Sequence, residues 1–301
     1  MPHDQLHNDQ ATAVSVAAGV RVVPITDDDV RRVAEFLHAV DRRVSADAWT
    51  AAVNVPWEVE KPNAGFMLLD ADDVVGVQLA FYSERMLSGT RERFCNLGAW
   101  YVSPGYRFHA LRLLKAVLRQ EGYHFTDLSP SGNVVGVNEK LSFRFLDTTT
   151  ALVPNLPWPT LPRRDRISSD PALIERTVTG ADLKLYRDHV ATGAARHVVL
   201  IRGDEWCYVM FRRDRRKGLP LFASVLYVSN PALFRAMARP FARHLLLHHR
   251  ALGTLAEERV VGCRPRPSLR LRSPRRKMFR SPNLAPAQID YLYSELVCVS
   301  W

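Results

Sequence analysis

The turn that follows Tyr101-Val102-Ser103 contains residue types that could bind an anion. Pro104 and Gly105 mark the turn, and the spacing of apolar residues after it predicts an amphipathic helix over residues 107–121. Backbone N–H groups at the N-terminus of a helix bind phosphate groups, and the positive end of the helix dipole adds to the attraction. Small residues are favourable there because a phosphate must approach the backbone closely. We therefore expect an anion site at this turn.

The same pattern occurs twice in the chain. Residues 94–128 and residues 222–256 each contain a strand that ends in Tyr-Val-Ser, a turn marked by proline, a long amphipathic helix and a short apolar run. A repeat at this spacing predicts two copies of one αβ module. The second turn, residues 229–233, has no glycine and lacks one backbone N–H at Pro231, so we expect it to bind anions poorly.

The elements around the two turns predict two domains. At 301 residues the chain is long enough to bury two hydrophobic cores. We predict a flexible leader over residues 1–19, an N-terminal domain over 20–154, a proline-rich connector over 155–172 and a C-terminal domain over 173–301. Each domain should form a mixed, mostly antiparallel sheet flanked by helices, which makes the fold class α/β.

Four local patterns give narrower predictions. Thr26 and Asp29 have the spacing of a capping box at the start of a helix. Arg176–Val178 is expected to form a strand, and Leu296–Trp301 an apolar strand at the end of the chain. Pro240 lies inside a helical pattern and should kink that helix.

The composition is typical of a globular protein. Charged residues make up 24% of the chain and apolar residues 47%, and no uncharged apolar run approaches the length needed to cross a membrane. The first residues lack the apolar segment of a secretory signal. Cys95, Cys207, Cys263 and Cys298 are scattered without a C-x-x-C pair, which favours reduced thiols and a cytoplasmic location.

The net charge of +10 is unevenly distributed along the chain. Residues 264–280 contain eight Arg or Lys and no acidic residue, and residues 212–217 form a second basic cluster. Two interpretations are open: these segments bind an anionic partner, or they are basic loops exposed to solvent. His244 and His248 have the spacing of metal ligands on a helix, but no carboxylate accompanies them, so we expect no metal site.

The predicted order of elements resembles the GNAT superfamily of acyl-CoA N-acyltransferases. In that family the central strand leads through V-x-P-x-Y-R into the main helix, and Val102–Arg107 is similar; a later Y-E-K-L-G-F-R segment is similar to Asn138–Arg144. Residues 20–154 carry this resemblance, and the second half shares the predicted order and the Tyr-Val-Ser alignment. The tandem arrangement is similar to that of the N-myristoyltransferases and the Fem-type aminoacyl ligases.

The resemblance implies an enzyme that moves an acyl group, acetyl above all, from acyl-CoA to an amine on a small metabolite or an amino sugar. Acyl-CoA would be a co-substrate, no metal would be needed, and the second module would be degenerate. Ser129 and Asn138 would contact the substrate. The coenzyme would bind at ten residues of the turn and helix start: Val102, Ser103, Gly105, Tyr106, Arg107, Phe108, His109, Ala110, Leu111 and Arg112.

Three positions depart from the family pattern. Ala110 replaces the first glycine of the family pattern, and Arg112 replaces its second small residue, Gly or Ala. Asn138 stands where the family has the tyrosine that acts as general acid. An amide cannot give a proton to a leaving thiolate, so another residue is needed. Candidates with suitable chemistry are Tyr101, Tyr106, His109, Glu84 and Glu92, and the likeness to N-myristoyltransferases adds the terminal carboxylate of Trp301.

Two other functions are open at this point. A catalytically silent scaffold of the same fold could bind a protein or an anionic polymer through residues 264–280, which would account for the departures from the family pattern. A Fem-like ligase would use aminoacyl-tRNA. The basic segments lack the interleaved aromatic residues typical of RNA surfaces, which disfavours nucleic acid as a partner.

Overall fold

The computed structural model describes residues 19–159, 165–216 and 219–300. The predicted leader therefore lies outside the described residues except for Gly19, and so does Trp301. Within the described ranges, no helix is both long enough and apolar enough to cross a membrane.

The first half of the chain builds a sheet that is covered by helices on both faces. Side chains of its longest strand alternate between the faces: Val77 and Phe81 pack in the core that includes the first helix, whereas Ala80 and Tyr82 pack in the core under the third. The elements are β1 (Arg21–Pro24), α1 (Val30–Val40), α2 (Ala46–Val53), β2 (Gly65–Asp70), β3 (Asp73–Leu87), β4 (Thr90–Val102), α3 (Ala110–Leu118), β5 (His124–Asp127), α4 (Gly132–Lys140), β6 (Arg144–Phe145) and β7 (Thr150–Pro154).

The second half repeats this order of elements. Its central strand again follows a hairpin and leads through a proline turn into helices. The elements are β8 (Asp165–Ser168), α5 (Pro171–Thr177), α6 (Gly180–His189), β9 (Ala195–Arg202), β10 (Glu205–Arg216), β11 (Leu219–Val228), α7 (Pro231–Ala236), α8 (Ala238–His249), β12 (Gly253–Glu257), α9 (Glu258–Val261), β13 (Leu269–Arg270), β14 (Met278–Arg280) and α10 (Glu295–Cys298).

The two halves form two seven-stranded sheets, and each half contributes one strand to the sheet of the other. The first sheet has the order β1-β2-β3-β4-β5-β14-β6, and the second, written in the matching direction, has the order β8-β9-β10-β11-β12-β7-β13. The last strand of each half thus occupies the same place in the sheet of the other half. The predicted α/β fold with two similar modules is confirmed, whereas the boundary predicted at residue 154 does not coincide with the boundary between the sheets.

The repeat seen in the sequence has a counterpart in hydrogen bonding. The N–H of Ser103, after β4, donates to the carbonyl oxygen of Val75 at 2.9 Å, and the N–H of Ser229, after β11, donates to that of Tyr208 at 3.0 Å. Both serines therefore end a central strand against the strand that precedes it. The alignment of the two Tyr-Val-Ser segments corresponds to a true structural repeat.

Local predictions have mixed outcomes. The capping box is confirmed, since the backbone N–H of Thr26 donates to Asp29 Oδ2 at 2.9 Å just before α1. The strand predicted at 176–178 is wrong, because Asp170 caps a helix that Pro171 starts and whose apolar residues are buried. The apolar strand predicted at 296–301 is also wrong over its described residues. Ser294 caps a short helix there, α10.

The kink predicted at Pro240 lies three residues earlier. α7 ends at Ala236 and α8 begins at Ala238, so that Pro240 falls in the first turn of a new helix. A proline ring clashes with the carbonyl four residues before it, and its nitrogen cannot donate a hydrogen bond. In the first turn of a helix neither restriction breaks a bond.

Candidate active site

A cleft opens where β4 and β5 part. The two strands are paired over only three positions, ending at Asn96 opposite Thr126, and beyond that point β4 continues to Val102 paired with β3 and not with β5. The cleft has a volume of about 420 Å³. Its walls come from α1, α2, β3, β4, α3 and α4 and from the loop after β5: Leu37, Val40, Asp41, Arg43, Trp49, Gln78, Leu97, Gly98, Ala99, Trp100, Tyr101, Leu114, Asp127, Ser129, Pro130, Ser131, Val134 and Asn138.

A bulge in β4 bends this strand away from β5. Leu97 pairs with Ala80 and Trp100 pairs with Gln78, so two residues of β4, Gly98 and Ala99, lie opposite one residue of β3. A Cβ atom on Gly98 would lie 2.5 Å from the ring of Phe81, so this position must be glycine. The bulge at Gly98 and Ala99 therefore keeps β4 apart from β5 at the mouth of the cleft.

Asp127 lies at the floor of the cleft, at the last position of β5. Its side chain is buried, and Asn138 Nδ2 donates to its Oδ2 at 2.7 Å. Burial raises the pKa of Asp127 to about 6, although the bond from Asn138 and one from the backbone of Ser129 oppose the increase. A carboxylate with this pKa is ionised at neutral pH and is a stronger base than an ordinary aspartate.

A second buried carboxyl group approaches the same floor from the far end of the chain. Glu295, the first residue of α10, is only 1% exposed, and its backbone N–H donates to Asn96 Oδ1 at 3.0 Å. Ser129 Oγ donates to Glu295 Oε1 at 2.8 Å. Burial, and then the charge of nearby Asp127, raise the pKa of Glu295 to about 8.

Three residues predicted from the sequence lie in the cleft. Tyr101, Ser129 and Asn138 all contribute to its walls. The ring of Tyr101 contacts Phe36, with 5.9 Å between the ring centroids. Asn138 is buried and binds Asp127, so its amide orients a carboxylate where the family pattern has a tyrosine.

The other candidates for acid and base chemistry lie elsewhere. Tyr106 donates through its hydroxyl to Asp70 Oδ2 at 2.6 Å, and this bond raises the pKa of Tyr106. His109 interacts with Arg112 through its Nδ1. Glu84 forms an ion pair with Arg91 near the hairpin between β3 and β4. Among the residues that the structure describes, none of these three side chains lines the cleft.

The two remaining candidates for acid or base chemistry are Glu92 and Trp301. Glu92 Oε2 lies 2.9 Å from His124 Nε2, which makes it part of a pair at the start of β5 and not of the cleft. Trp301, whose terminal carboxylate was a candidate base, lies outside the described residues.

The turn predicted to bind the coenzyme is coiled as a 3₁₀ helix over Pro104–His109. The N–H of Tyr106 donates to the Ser103 carbonyl oxygen at 2.9 Å, and the N–H of Ala110 donates to that of Arg107. Several N–H groups that would face a phosphate are therefore engaged within the turn. The assignment of residues 102–112 to the coenzyme stays a prediction.

Some side chains of this turn are exposed to solvent, and one is held by a hydrogen bond to the backbone. Phe108 is 96% exposed, and Arg107 is exposed as well. Arg112 donates through Nη2 to the Val20 carbonyl oxygen at 3.2 Å, so its guanidinium is held against β1. A Cβ atom at Gly105 would meet nothing within 4 Å, which leaves open space beside the start of the turn.

The corresponding cleft of the second half is filled by charged side chains. β11 and β12 also part after three paired positions, but the space between them is an inner cavity of only about 50 Å³. Arg275 binds Asp214 at 2.8 Å, and Lys277 pairs with Glu257. An acyl-CoA arm has no room there.

Much of the basic segment at residues 264–280 is engaged with the protein itself. Besides Arg275 and the buried Lys277, Arg270 pairs with Glu258 at 3.2 Å, and Arg276 lies over the ring of Phe145. The three ion pairs neutralise part of the positive charge for which the sequence left two interpretations open, an anionic partner or exposed basic loops. Among the described residues, no group of three or more His, Cys, Asp or Glu is placed to hold a metal ion.

Sequence reasoning did not identify the two buried carboxyl groups. Asp127 gives one signal, since an aspartate that ends a short apolar strand is placed at the edge where open sheets bind ligands. Glu295 gives no local signal, because it is separated by more than 160 positions from Ser129, which it contacts. Its role depends on the fold of the whole chain.

No protein-family model and no curated protein matches the sequence. Solved structures do match the fold. A candidate acetyltransferase of Pyrococcus horikoshii is 14% identical, with a TM-score of 0.51 over 94% of this chain and 93% of that one. A GCN5-related N-acetyltransferase of Anabaena variabilis is 12% identical, with a TM-score of 0.52 over 87% and 72%. N-myristoyltransferase of Saccharomyces cerevisiae is 9% identical, with a TM-score of 0.50 over 96% and 86%.

These likenesses establish the fold. The chain has the fold of the GCN5-related N-acetyltransferases, with two such modules in tandem, as the sequence predicts. At identities this low the comparison extends to architecture alone.

Proposed function

We propose that this chain, which has the fold of the GCN5-related N-acetyltransferases, transfers an acyl group from acyl-CoA to an amine. The observation that carries the proposal is the open cleft of about 420 Å³ between β4 and β5, with the buried carboxyl group of Asp127 at its floor. The second half contributes structure and not a second coenzyme site, since its own cleft is filled.

The thioester arm of acyl-CoA would lie between the parted strands. Ala99 and Tyr101 of β4 form one wall, and Pro130 and Val134 form the other. The diphosphate would lie near the start of the 3₁₀ turn, where the exposed guanidinium of Arg107 can neutralise it. Because several N–H groups of that turn are already bonded, we assign a larger share of phosphate binding to this side chain than the family pattern implies.

The acceptor amine would enter from the side of α1 and α2. Trp49 and Leu37 give this part of the cleft an apolar surface, and Arg43, paired with Asp41 at 2.6 Å, adds polar groups. An amine on a small metabolite or an amino sugar suits a surface of this mixed kind. Acetyl is the acyl group we propose to test first.

The chemistry would be direct attack of the amine on the thioester carbonyl carbon. Asp127, ionised above about pH 6, would take the proton that the amine nitrogen loses. A backbone N–H of β4 near Tyr101 or Val102 would stabilise the oxyanion. Asn138 would keep the carboxylate of Asp127 oriented, because its amide donates to one of the two carboxylate oxygens.

The proposal is tested with two variants on one helix. Val134 lines the cleft, whereas the neighbouring Asn133 is exposed to solvent on the same helix, α4. Val134→Trp should fill the space for the thioester arm and weaken acetyl-CoA binding at least tenfold by calorimetry. Asn133→Trp should bind as the wild type does. Release of free thiol and the mass of the acylated amine measure turnover with a panel of amines.

Two outcomes would count against the proposal. If the wild-type protein neither binds nor consumes any acyl-CoA, the enzymatic function is wrong. If Val134→Trp binds acetyl-CoA as tightly as Asn133→Trp while both keep the circular dichroism spectrum of the wild type, the coenzyme lies outside this cleft.

A further inference from the structure

The buried glutamate of α10 is an unusual group to place in a protein interior. Glu295 is 1% exposed, and no partner among the described residues binds its Oε2 atom. Burying a carboxyl group in this way costs free energy whether the group is ionised or neutral. Such groups in native proteins call for a chemical explanation. The N–H of Glu295, bonded to Asn96, fixes the group at the point where β4 and β5 separate.

Ser129 connects this glutamate to the cleft. The serine is exposed, it lines the cleft, and it also borders the inner cavity of the second half. Its Oγ lies 2.8 Å from Glu295 Oε1. Ser129 donates to Glu295 while that carboxyl group is ionised. When Oε1 is protonated the bond reverses, so that Ser129 accepts the carboxyl proton and can give its own hydroxyl proton to the cleft.

The charged groups that face Glu295 come from both halves of the molecule. Asp127 lies on the side of the cleft, and its negative charge favours a proton on Glu295. Arg212 of β10 lies on the other side, where its Nη1 donates to the Leu296 carbonyl oxygen at 3.0 Å, and it favours the ionised form. Behind Arg212 stand Asp214 and Arg275, which pair with each other.

Burial and the charge of Asp127 raise the pKa of Glu295 by more than Arg212 lowers it. The pKa of Glu295 is raised to about 8, whereas that of Asp127 is raised to about 6. Between these two values the pair holds one proton, and that proton resides mainly on Glu295. The site therefore offers a base and an acid in the same pH range.

We propose that Glu295 holds the proton that the leaving thiolate receives, and that Ser129 delivers it. The inference rests on the proposed function and adds to it, because Asn138 cannot supply that proton. Glu295 acts through Ser129 and is a positioning residue in this scheme. The C-terminal segment of the second half thus completes the active site of the first.

The proton balance of the scheme closes. A neutral amine attacks the thioester carbonyl carbon, and the tetrahedral adduct gives one N–H proton to the Asp127 carboxylate. The C–S bond then breaks. The thiolate takes the Ser129 hydroxyl proton while Ser129 takes the proton of Glu295. Transfer of the proton from Asp127 to Glu295 restores the starting state, so one amide and one thiol are formed with no net uptake of protons.

The test compares pH profiles of kcat/KM for acetyl transfer. The wild type should give a bell with limbs near pH 6 and pH 8, set by the titrations of Asp127 and Glu295. Glu295→Gln should lose the upper limb and reduce kcat about 100-fold. Ser129→Ala should do the same, and Glu139→Gln, an exposed carboxyl on α4, should match the wild type.

A second measurement separates a chemical role from a structural one. The oxygen-ester analogue of acetyl-CoA has a poorer leaving group, so its reaction depends more strongly on protonation of that group. The ratio of thioester to ester rates should therefore rise in Glu295→Gln and stay constant in Glu139→Gln. An upper limb and a rate ratio that are unchanged in Glu295→Gln would overturn the inference while leaving the proposed function intact.

A third measurement does not require turnover. Infrared titration should show the C=O band of a protonated carboxyl group that disappears near pH 8, is absent in Glu295→Gln and moves to lower pH in Asp127→Asn. If no variant consumes acyl-CoA, the proposed function fails, and this band still reports on the carboxyl pair. The absence of a carboxyl group that titrates above pH 7 in the wild type would overturn the inference by itself.

Discussion

At the scale of single residues, the site depends on two carboxyl groups that share one environment and differ in pKa. Asp127 borders the open cleft and accepts hydrogen bonds from Asn138 and from the backbone of Ser129, whereas Glu295 is enclosed and faces the negative charge of Asp127. Burial, and then the charge of Asp127, place the pKa of Glu295 at about 8, above the value of about 6 for Asp127. Two carboxyl groups therefore differ in protonation at neutral pH, which is what the proposed roles of base and acid require.

The raised pKa of Glu295 predicts how stability depends on pH. A carboxyl group whose pKa is higher in the folded state stabilises the fold while it is protonated. That contribution is lost as pH rises from about 4.5, the unperturbed value, through about 8. Chemical denaturation should show that the free energy of unfolding of the wild type, relative to Glu295→Gln, falls steadily across this window. Each pKa unit corresponds to about 1.4 kcal/mol.

The free energy of unfolding is compared between the wild type and Glu295→Gln because other buried groups change stability with pH in the opposite direction. Burial lowers the pKa values of His189, His197, His244 and His249 to about 4, so their contribution is lost as pH falls from 6.5. These histidines are common to both proteins and cancel in the difference. An exposed control, Glu139→Gln, should show a constant difference from the wild type. A constant difference for Glu295→Gln as well would show that its carboxyl group is not perturbed.

At the scale of elements, the turn before α3 departs most from the family pattern. The 3₁₀ helix engages its own N–H groups, so under the proposed function side chains would bind much of the coenzyme phosphate. Arg107→Ala should therefore raise the Kd for acetyl-CoA five- to tenfold, and added salt should narrow the difference. Arg119→Ala, at the opposite end of α3 and also exposed, is the matched control. Equal affinities of Arg107→Ala and Arg119→Ala for acetyl-CoA would mean that Arg107 does not bind the phosphate and that backbone N–H groups remain the candidates.

Sequence patterns predicted those elements whose signals are local. The capping box of Thr26 and Asp29, the hairpins and the repeated strand–turn–helix each depend on residues within a few positions of one another. Three features escaped prediction because distant contacts decide them: the helical form of α10, the exchange of β7 and β14, and the meeting of Glu295 with Ser129. The sequence therefore predicted three residues that lie in the cleft, Tyr101, Ser129 and Asn138, but it gave no local signal for Glu295.

At the scale of the whole molecule, the exchanged strands make the two halves one folding unit. β14 lies between β5 and β6, where Met278 and Phe279 are fully buried, and β7 lies between β12 and β13. One core cluster contains residues of both halves, such as Phe81 and Met210. Neither half has a complete sheet without the other. The close association of the halves also accounts for the contact of Glu295 in the second half with Ser129 beside the cleft of the first.

A substitution in the exchanged strand tests this unity. Phe279→Ala removes a fully buried ring from β14, which should lower the free energy of unfolding by about 3–5 kcal/mol. Because the strand belongs in sequence to one half and in structure to the other, the single unfolding transition should shift as a whole. Phe108→Ala removes a ring that is 96% exposed and should change stability little. Two separate transitions, with only one of them shifted by Phe279→Ala, would mean that the halves unfold independently. A glutamate at the end of the second half would then be poorly placed to control a proton in the first.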